Sequence, residues 1–345
     1  MLIDIFNFKQ SYDDDYESFC TSNCICQILK YYRVKYAPFF INSSLSLTLV
    51  ENEKAEFGYN LLFDRSLVLS NFENKVKLNI PHNKSTIEVW EENKTKVREG
   101  IPLIVGVDIF NLKYTPYYRK YHSNHRVILC GYSEIQDYVT IIDHYQWVYK
   151  GNIEIDSFFE ARSSLCPKDD GPYSGRPINN VWLEVDSDGW EANPEELLFT
   201  TVFRSLEKYY NINSYYKKSS YFGIDALKKI LEIINQYKEI DKACNMVFFG
   251  KLHFDVLCLY TRLKLFKYYI RMSSSTVKLD ILPKINEQIV EDLKEWELLL
   301  RLIIKAIYTK EDLLYKIVNR LRKIIAIEEK RYDILIRLNN ILFMG

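Results

Sequence analysis

The chain has no long apolar run. Its most hydrophobic segments, such as 298–307, are broken by Arg301 and Lys305. None approaches the roughly 18 apolar residues needed to cross a bilayer, so no membrane partner is expected. No charge of one sign dominates either, because 46 Lys and Arg balance 46 Asp and Glu. That argues against a nucleic-acid partner, since such proteins carry a basic excess. The opening residues MLIDIFNFKQ lack the cationic stretch, apolar core and small-residue cleavage site of a signal peptide. Absent too are Gly-x-x-x-x-Gly-Lys-Ser/Thr, Gly-x-Gly-x-x-Gly and Gly-x-Ser-x-Gly. Nucleotide hydrolysis, dinucleotide chemistry and the serine-hydrolase elbow therefore lack support. Cysteines are few and odd in number, seven, at positions 20, 24, 26, 130, 166, 244 and 258. Without an export signal, the expected state is reduced and cytoplasmic.

What is present is a globular composition, 48% apolar and 27% charged, rich in Tyr (27) and Phe (19). Glycine and proline divide the chain. Residues 1–195 hold eight of nine prolines and eight of eleven glycines, and the remainder keeps only Pro283, Gly223, Gly250 and Gly345. Few breakers and long periodic runs predict a helical second half. Helices are expected over 194–210, from Gly223, over 241–272 with a bend at Gly250, and after Pro283. A last one opens at Thr309-Lys310-Glu311-Asp312, which approximates a capping box. Their stripes, such as Ile285, Ile289, Trp296, Leu300 and Ile303, predict one buried face each. Such a bundle either supports the first half or forms a homodimer.

The first half is mixed. Helices are expected over 20–32, over 85–99 with Gly100 as C-terminal cap, and over 155–162. Strands are expected over 45–50, 76–80, 103–109, 125–132, 139–144 and 180–185, with a polar loop at 133–137 making a hairpin. The stretch 166–177 reads as a loop.

Three residues in this half suggest chemistry. Cys20 heads the first helix, where the positive end of the dipole favours a thiolate. The acidic run Asp13-Asp14-Asp15 works against this unless it faces solvent. His125 starts an alternating strand, with Val127 and Leu129 on its face, and Asp143 ends the next strand. A hairpin brings those two ends together, and the carboxylate can fix the imidazole tautomer and stabilise its charged form. His122 is the rival histidine, in the loop before the strand. His144 faces away from Asp143, and His82 and His253 have no such context. Cys20, Cys24 and Cys26 with His122 and His125 are also zinc-ligand types, but Cys-x3-Cys-x-Cys on a helix matches no common zinc knuckle. No metal and no bound cofactor are therefore expected.

The Cys20 helix, Gly100-Ile-Pro-Leu-Ile-Val-Gly-Val-Asp108, the Tyr-rich segment 112–121 and His125…Gly131-Tyr132…Asp143 together resemble the butirosin biosynthesis protein H N-terminal family. The part beginning near Tyr221-Phe-Gly-Ile resembles the domain that often follows it. The resemblance implies an α+β, papain-like catalytic domain over 1–190, followed by a helical domain over 191–345. It implies acyl transfer in secondary-metabolite or antibiotic biosynthesis, with the closthioamide (amide-synthetase) type as a specific case. An acyl group would arrive as a thioester on the phosphopantetheine arm of an acyl or peptidyl carrier protein. It would pass through acyl-Cys20 to a small amine acceptor. By position, Cys20 is the nucleophile, His125 base and acid, and Asp143 the orienting group. Asp108 falls where the family carries an acidic residue, either to bind a cationic amine or to hold the Tyr-rich loop. Tyr114, His122 and Tyr132 join it as substrate-binding candidates. One departure stands out: no Gln or Asn lies among Asp14–Phe19 to donate to an oxyanion. Asn23 and Gln27 follow Cys20, and Gln10 lies far upstream. A cysteine peptidase or amidase would use the same triad, and a non-catalytic binding protein would retain it in degenerate form.

Overall fold

A computed structural model describes residues 19–41, 44–45, 47–52, 58–62, 74–144, 148–169, 173–207, 220–236, 242–309 and 313–344. In chain order, α1 (Cys20–Tyr31) is followed by a 3-10 turn, Ala37–Phe40, and by the strands β1 (Thr48–Glu51), β2 (Tyr59–Leu62) and β3 (Val76–Asn79). Next come α2 (Thr86–Arg98), β4 (Leu103–Asp108), a 3-10 turn over Ile109–Asn111, β5 (Asn124–Ser133), β6 (Tyr138–His144) and β7 (Val148–Glu154). Then follow α3 (Ile155–Ser163), β8 (Trp182–Val185), α4 (Pro194–Glu207), β9 (Ser220–Phe222), α5 (Gly223–Gln236), α6 (Lys242–Thr276), α7 (Ile281–Thr309) and α8 (Leu314–Met344). The protein is thus α+β with a helical C-terminal region, as the sequence predicts.

The described residues group into two compact units. One lies within Met1–Ile41 and Leu69–Glu191, the other within Asn42–Val68 and Ala192–Gly345. A boundary near residue 190 follows the fall in glycine and proline. The sequence alone places 42–68 in the first part, whereas the structure groups that segment with the second unit.

The first unit is built on an antiparallel six-stranded sheet of order β3-β8-β4-β5-β6-β7. Its centre reads as continuous apolar sequence because it is covered on both sides, and every residue of β4 is buried. The β5–β6 register pairs Ile128 with Ile142, and a bulge at Cys130 separates this stretch from the Gly131–Thr140 pair. One step further along the same register sets Asp143 opposite Val127, two residues from His125. The helix α2 is closed at its N-terminus by a capping box, in which Ser85 Oγ accepts from the Glu88 N–H and Glu88 accepts from the Ser85 N–H. It ends at Gly100, whose φ of +84° lets the chain turn out of the helix.

Buried Arg162 of α3 clamps this unit. Its guanidinium donates to the carbonyls of Gly106 (3.2 Å), Val181 (2.7 Å) and Asn180 (2.6 Å), and to Asn93 Oδ1 (3.3 Å). Four donors thus satisfy main-chain oxygens of β4, of the turn before β8, and a side chain of α2, where water does not reach.

The second unit joins a three-stranded antiparallel sheet, β2-β1-β9, to the helices α4 to α8. Side chains bind 44–62 to the helices: Tyr59 Oη donates to Asp255 of α6 (2.9 Å), and Arg262 donates to the Ser44 carbonyl (2.5 Å). Leu227, Ile230 and Ile234 of α5 pack with Leu252, Trp296, Ile303, Ile317 and Leu321 in an apolar interior. Helices α7 and α8 also share a buried ion pair, with Arg331 Nε donating to Asp292 Oδ2 at 2.7 Å. The expected bend at Gly250 is not a break, because α6 runs through that residue. Pro283 lies in the first turn of α7, where its missing N–H costs nothing. Residues 208–210, and 310–312 of the expected capping box, lie outside the described residues.

Candidate active site

Three elements of the first unit converge on one thiol. Cys20 is the first residue of α1 and is half-buried. Its N-cap, Phe19, offers no side-chain hydrogen bond, so the leading N–H groups are not consumed by a capping oxygen. His125 and Asp143 are both buried, Asp143 completely. The His125 Nε2 lies 2.9 and 3.0 Å from the two Asp143 oxygens. Nε2 is committed to the carboxylate, which leaves Nδ1 as the ring nitrogen for Cys20, whose side chain is hydrogen-bonded to His125.

The electrostatics follow from this contact. Burial pushes the Cys20 thiol up, but the hydrogen bond and charge of His125, with the charge and backbone amide of Arg126, outweigh it, and the thiol lies below its ordinary value. Burial also disfavours a charged His125. The Asp143 carboxylate and the Cys20 sulfur more than compensate and raise the imidazole to about 10. The two shifts agree in describing a thiolate–imidazolium pair. One turn along the same helix, Cys24 behaves oppositely. It is buried, donates weakly to the Arg126 carbonyl (3.6 Å), and burial with the nearby Cys20 and Asp143 charges holds it well above the usual thiol range. The acidic run Asp13-Asp14-Asp15, and Gln10, lie outside the described residues.

The other expected site residues divide. Tyr114 is brought to the triad, but as a partner of Asp143: its hydroxyl donates to Oδ2 at 2.8 Å. Tyr132 is not brought there. It sits at the far end of β5, packed edge-on against Trp90 (5.6 Å), with Arg98 donating to its hydroxyl. Asp108 is fully buried and spent on local structure. It accepts from the N–H groups of Phe110 (3.2 Å) and Ser123 (3.1 Å), from Ser164 Oγ (2.6 Å), and meets His122 Nδ1 (2.7 Å). These partners flank the Tyr-rich segment 112–121 on both sides and include one residue after α3. His122 also lies flat on Phe110, with centroids 4.1 Å apart.

The two amides after Cys20 serve another residue. Asn23 donates to the His144 carbonyl (2.7 Å), and Gln27 meets His144 Nδ1 (2.6 Å). Burial, with a contribution from Lys30, lowers His144 to about 4, so it is neutral near pH 7. Arg126 is a site residue the sequence did not single out. Its guanidinium lies over Gly106, where a Cβ would come within 3.0 Å of Nη1, and donates to Asn124 and to the His125 carbonyl. Strand alternation alone would turn it away from His125, which hides its electrostatic reach to Cys20. Among the described residues, no group of three or more His, Cys, Asp and Glu side chains is placed to hold a metal ion. No described helix is long and apolar enough to cross a membrane.

The site is that of an α+β protein with a thiol, an imidazole and a carboxylate in hydrogen-bonded series. Residues 20–144 match the family described as butirosin biosynthesis protein H, N-terminal, the family the sequence resembles, and the match runs from Cys20 to one residue past Asp143. It implies a biosynthesis-associated enzyme of the papain-like kind. No curated protein matches the chain significantly.

Proposed function

We propose that the protein is a cysteine-dependent acyltransferase that forms an amide from a carrier-protein thioester. The observation that carries this reading is the Cys20–His125–Asp143 series, with the thiol lowered and the imidazole raised. Cys20 attacks the thioester carbonyl of an acyl group held on a phosphopantetheine arm. The C–S bond to the arm breaks, and the departing thiol takes its proton from His125. An amine then attacks the acyl-Cys20 carbonyl, His125 accepts the amine proton, and the amide leaves as the Cys20 sulfur is released. Asp143 keeps the ring oriented and its charged form stable throughout.

The oxyanion is assigned to the backbone N–H of Cys20 and the first turn of α1. Two observations support this: Phe19 leaves that turn without a side-chain cap, and the Asn23 and Gln27 amides are engaged with His144. Transfer rather than hydrolysis, and a carrier-bound donor, rest on the family resemblance. Product analysis with an acylated carrier separates the outcomes. Amide that grows with added amine supports transfer, free acid regardless of amine identifies a hydrolase, and product undiminished in Cys20→Ala contradicts the assignment.

A further inference from the structure

Asp143 has a second donor besides the histidine. Tyr114 reaches it from the loop after the Ile109–Asn111 turn, and its hydroxyl donates to Oδ2 at 2.8 Å. A second donor on one oxygen fixes how the carboxylate is turned towards the imidazole. Burial and the adjacent carboxylate hold the Tyr114 phenol well above its ordinary value, so it stays a donor across the working range.

Tyr114 is itself braced from one side. It lines a pocket of about 280 Å³ together with Tyr149, Asn111, Asn152 and Ser157. What supports the ring there is Tyr149 of β7, stacked on it with centroids 3.9 Å apart and planes within 5°. Tyr149 lies along its own strand and donates to the Asn152 carbonyl (2.9 Å). It crosses directly over Gly151. A Cβ at that position would fall 2.7 Å from the Tyr149 hydroxyl and 2.8 Å from Cζ. Gly151 does not have a positive φ, so its lack of a side chain serves space rather than backbone freedom.

We propose that Tyr114, braced by Tyr149 across Gly151, is a positioning residue for Asp143 and through it sets the ionisation of the Cys20–His125 pair. This rests on the catalytic reading of that pair. The brace fixes the phenol, the phenol fixes the carboxylate against the imidazole, and the carboxylate so placed sustains the imidazolium that keeps Cys20 a thiolate.

The test is the pH dependence of iodoacetamide alkylation at Cys20 in the full chain, located by peptide mass. Wild type is expected to react along a limb below the ordinary thiol range. Tyr114→Phe keeps ring and stack but loses the donor. Its limb should move up by about one pH unit, which is about tenfold slower alkylation on the rising part of the wild-type limb and nearly equal rates once both proteins have levelled off. Gly151→Ala, which displaces Tyr149 without touching the triad, should move the limb in the same direction. Tyr149→Phe keeps the stack and should leave it in place. A purely structural role for Tyr114 would lower thermal stability and leave the limb at its wild-type position, and that result overturns the proposal. Should Tyr114→Phe fail to fold, Gly151→Ala is read in the same assay with the same two outcomes. A wild-type limb at the ordinary thiol value would overturn the catalytic reading as well, a result distinct from an unmoved limb in the variants.

Discussion

At the scale of single residues, the account turns on where two protons sit. In the folded protein His125 holds its proton to about 10, while the Cys20 thiol gives its own up below the ordinary 9.0. An unfolded chain reverses the order, with imidazole near 6.5 and thiol near 9.0. Each shift carries its own sign: the raised His125 contributes stability that is fully present below 6.5, and the lowered Cys20 contributes stability that is fully present above 9.0. The His125 contribution falls as pH rises from 6.5 towards about 10. The Cys20 contribution falls as pH drops from 9.0 towards its folded value. Function should show the same asymmetry. The kcat/KM for a thioester donor is expected to decline as pH passes about 10, because the departing thiol loses its proton source, whereas alkylation of Cys20 should not decline there. A parallel decline in both would deny His125 the role of acid. Much of this pair was legible in the sequence, since a thiol at a helix start and a histidine and carboxylate at facing hairpin ends are local patterns. Tyr114 was placed near the substrate, and only the fold shows that its hydroxyl is committed to Asp143. Arg126 was missed because alternation describes which way a side chain leaves its strand, not how far its charge reaches.

At the scale of elements, the strands that hold the site were the easiest to read. β5 and β6 are central and buried, so their alternation and their turn are strong signals. β7 was not anticipated. It is an edge strand with alternating half-buried and exposed residues and only two aliphatic positions, Val148 and Ile153, so it lacks a hydrophobic period. Its weight lies in Tyr149 and Gly151, which act through space. The clamp of Arg162 was equally silent, because a lone arginine in a short amphipathic helix reads as solvated. Its four hydrogen bonds reach groups between 18 and 69 positions away. Arg162→Met fills similar volume but leaves buried carbonyls without donors, and is expected to destabilise the fold by about 3 kcal/mol. Urea unfolding measures this, and a change within error would show that those oxygens find other partners.

At the scale of the molecule, the composition change near residue 190 marks only one of the places where the chain passes between its two units. After Ile41 it supplies β1 and β2 to the second unit before returning to the first. β1 is the middle strand there, between β2 and β9, and Ser44 and Tyr59 are bonded to Arg262 and Asp255 of α6. Composition could not reveal this, since a short strand pair gives the same apolar signal in either unit. A fragment ending at residue 191 would carry these two strands without β9 or α6, and unpaired apolar strands associate. It should be insoluble or melt well below the full chain. A soluble monomeric fragment with the full-chain Tm would contradict the assignment of 42–68 to the second unit.

The central claim is that Cys20 carries the acyl group, and intact mass of the full chain after incubation with an acylated carrier protein tests it most directly. The account predicts a mass gain equal to the acyl group, located on the Cys20 peptide, absent in Cys20→Ala and discharged when an accepted amine is added. No adduct, or an adduct of equal yield in Cys20→Ala, would contradict it.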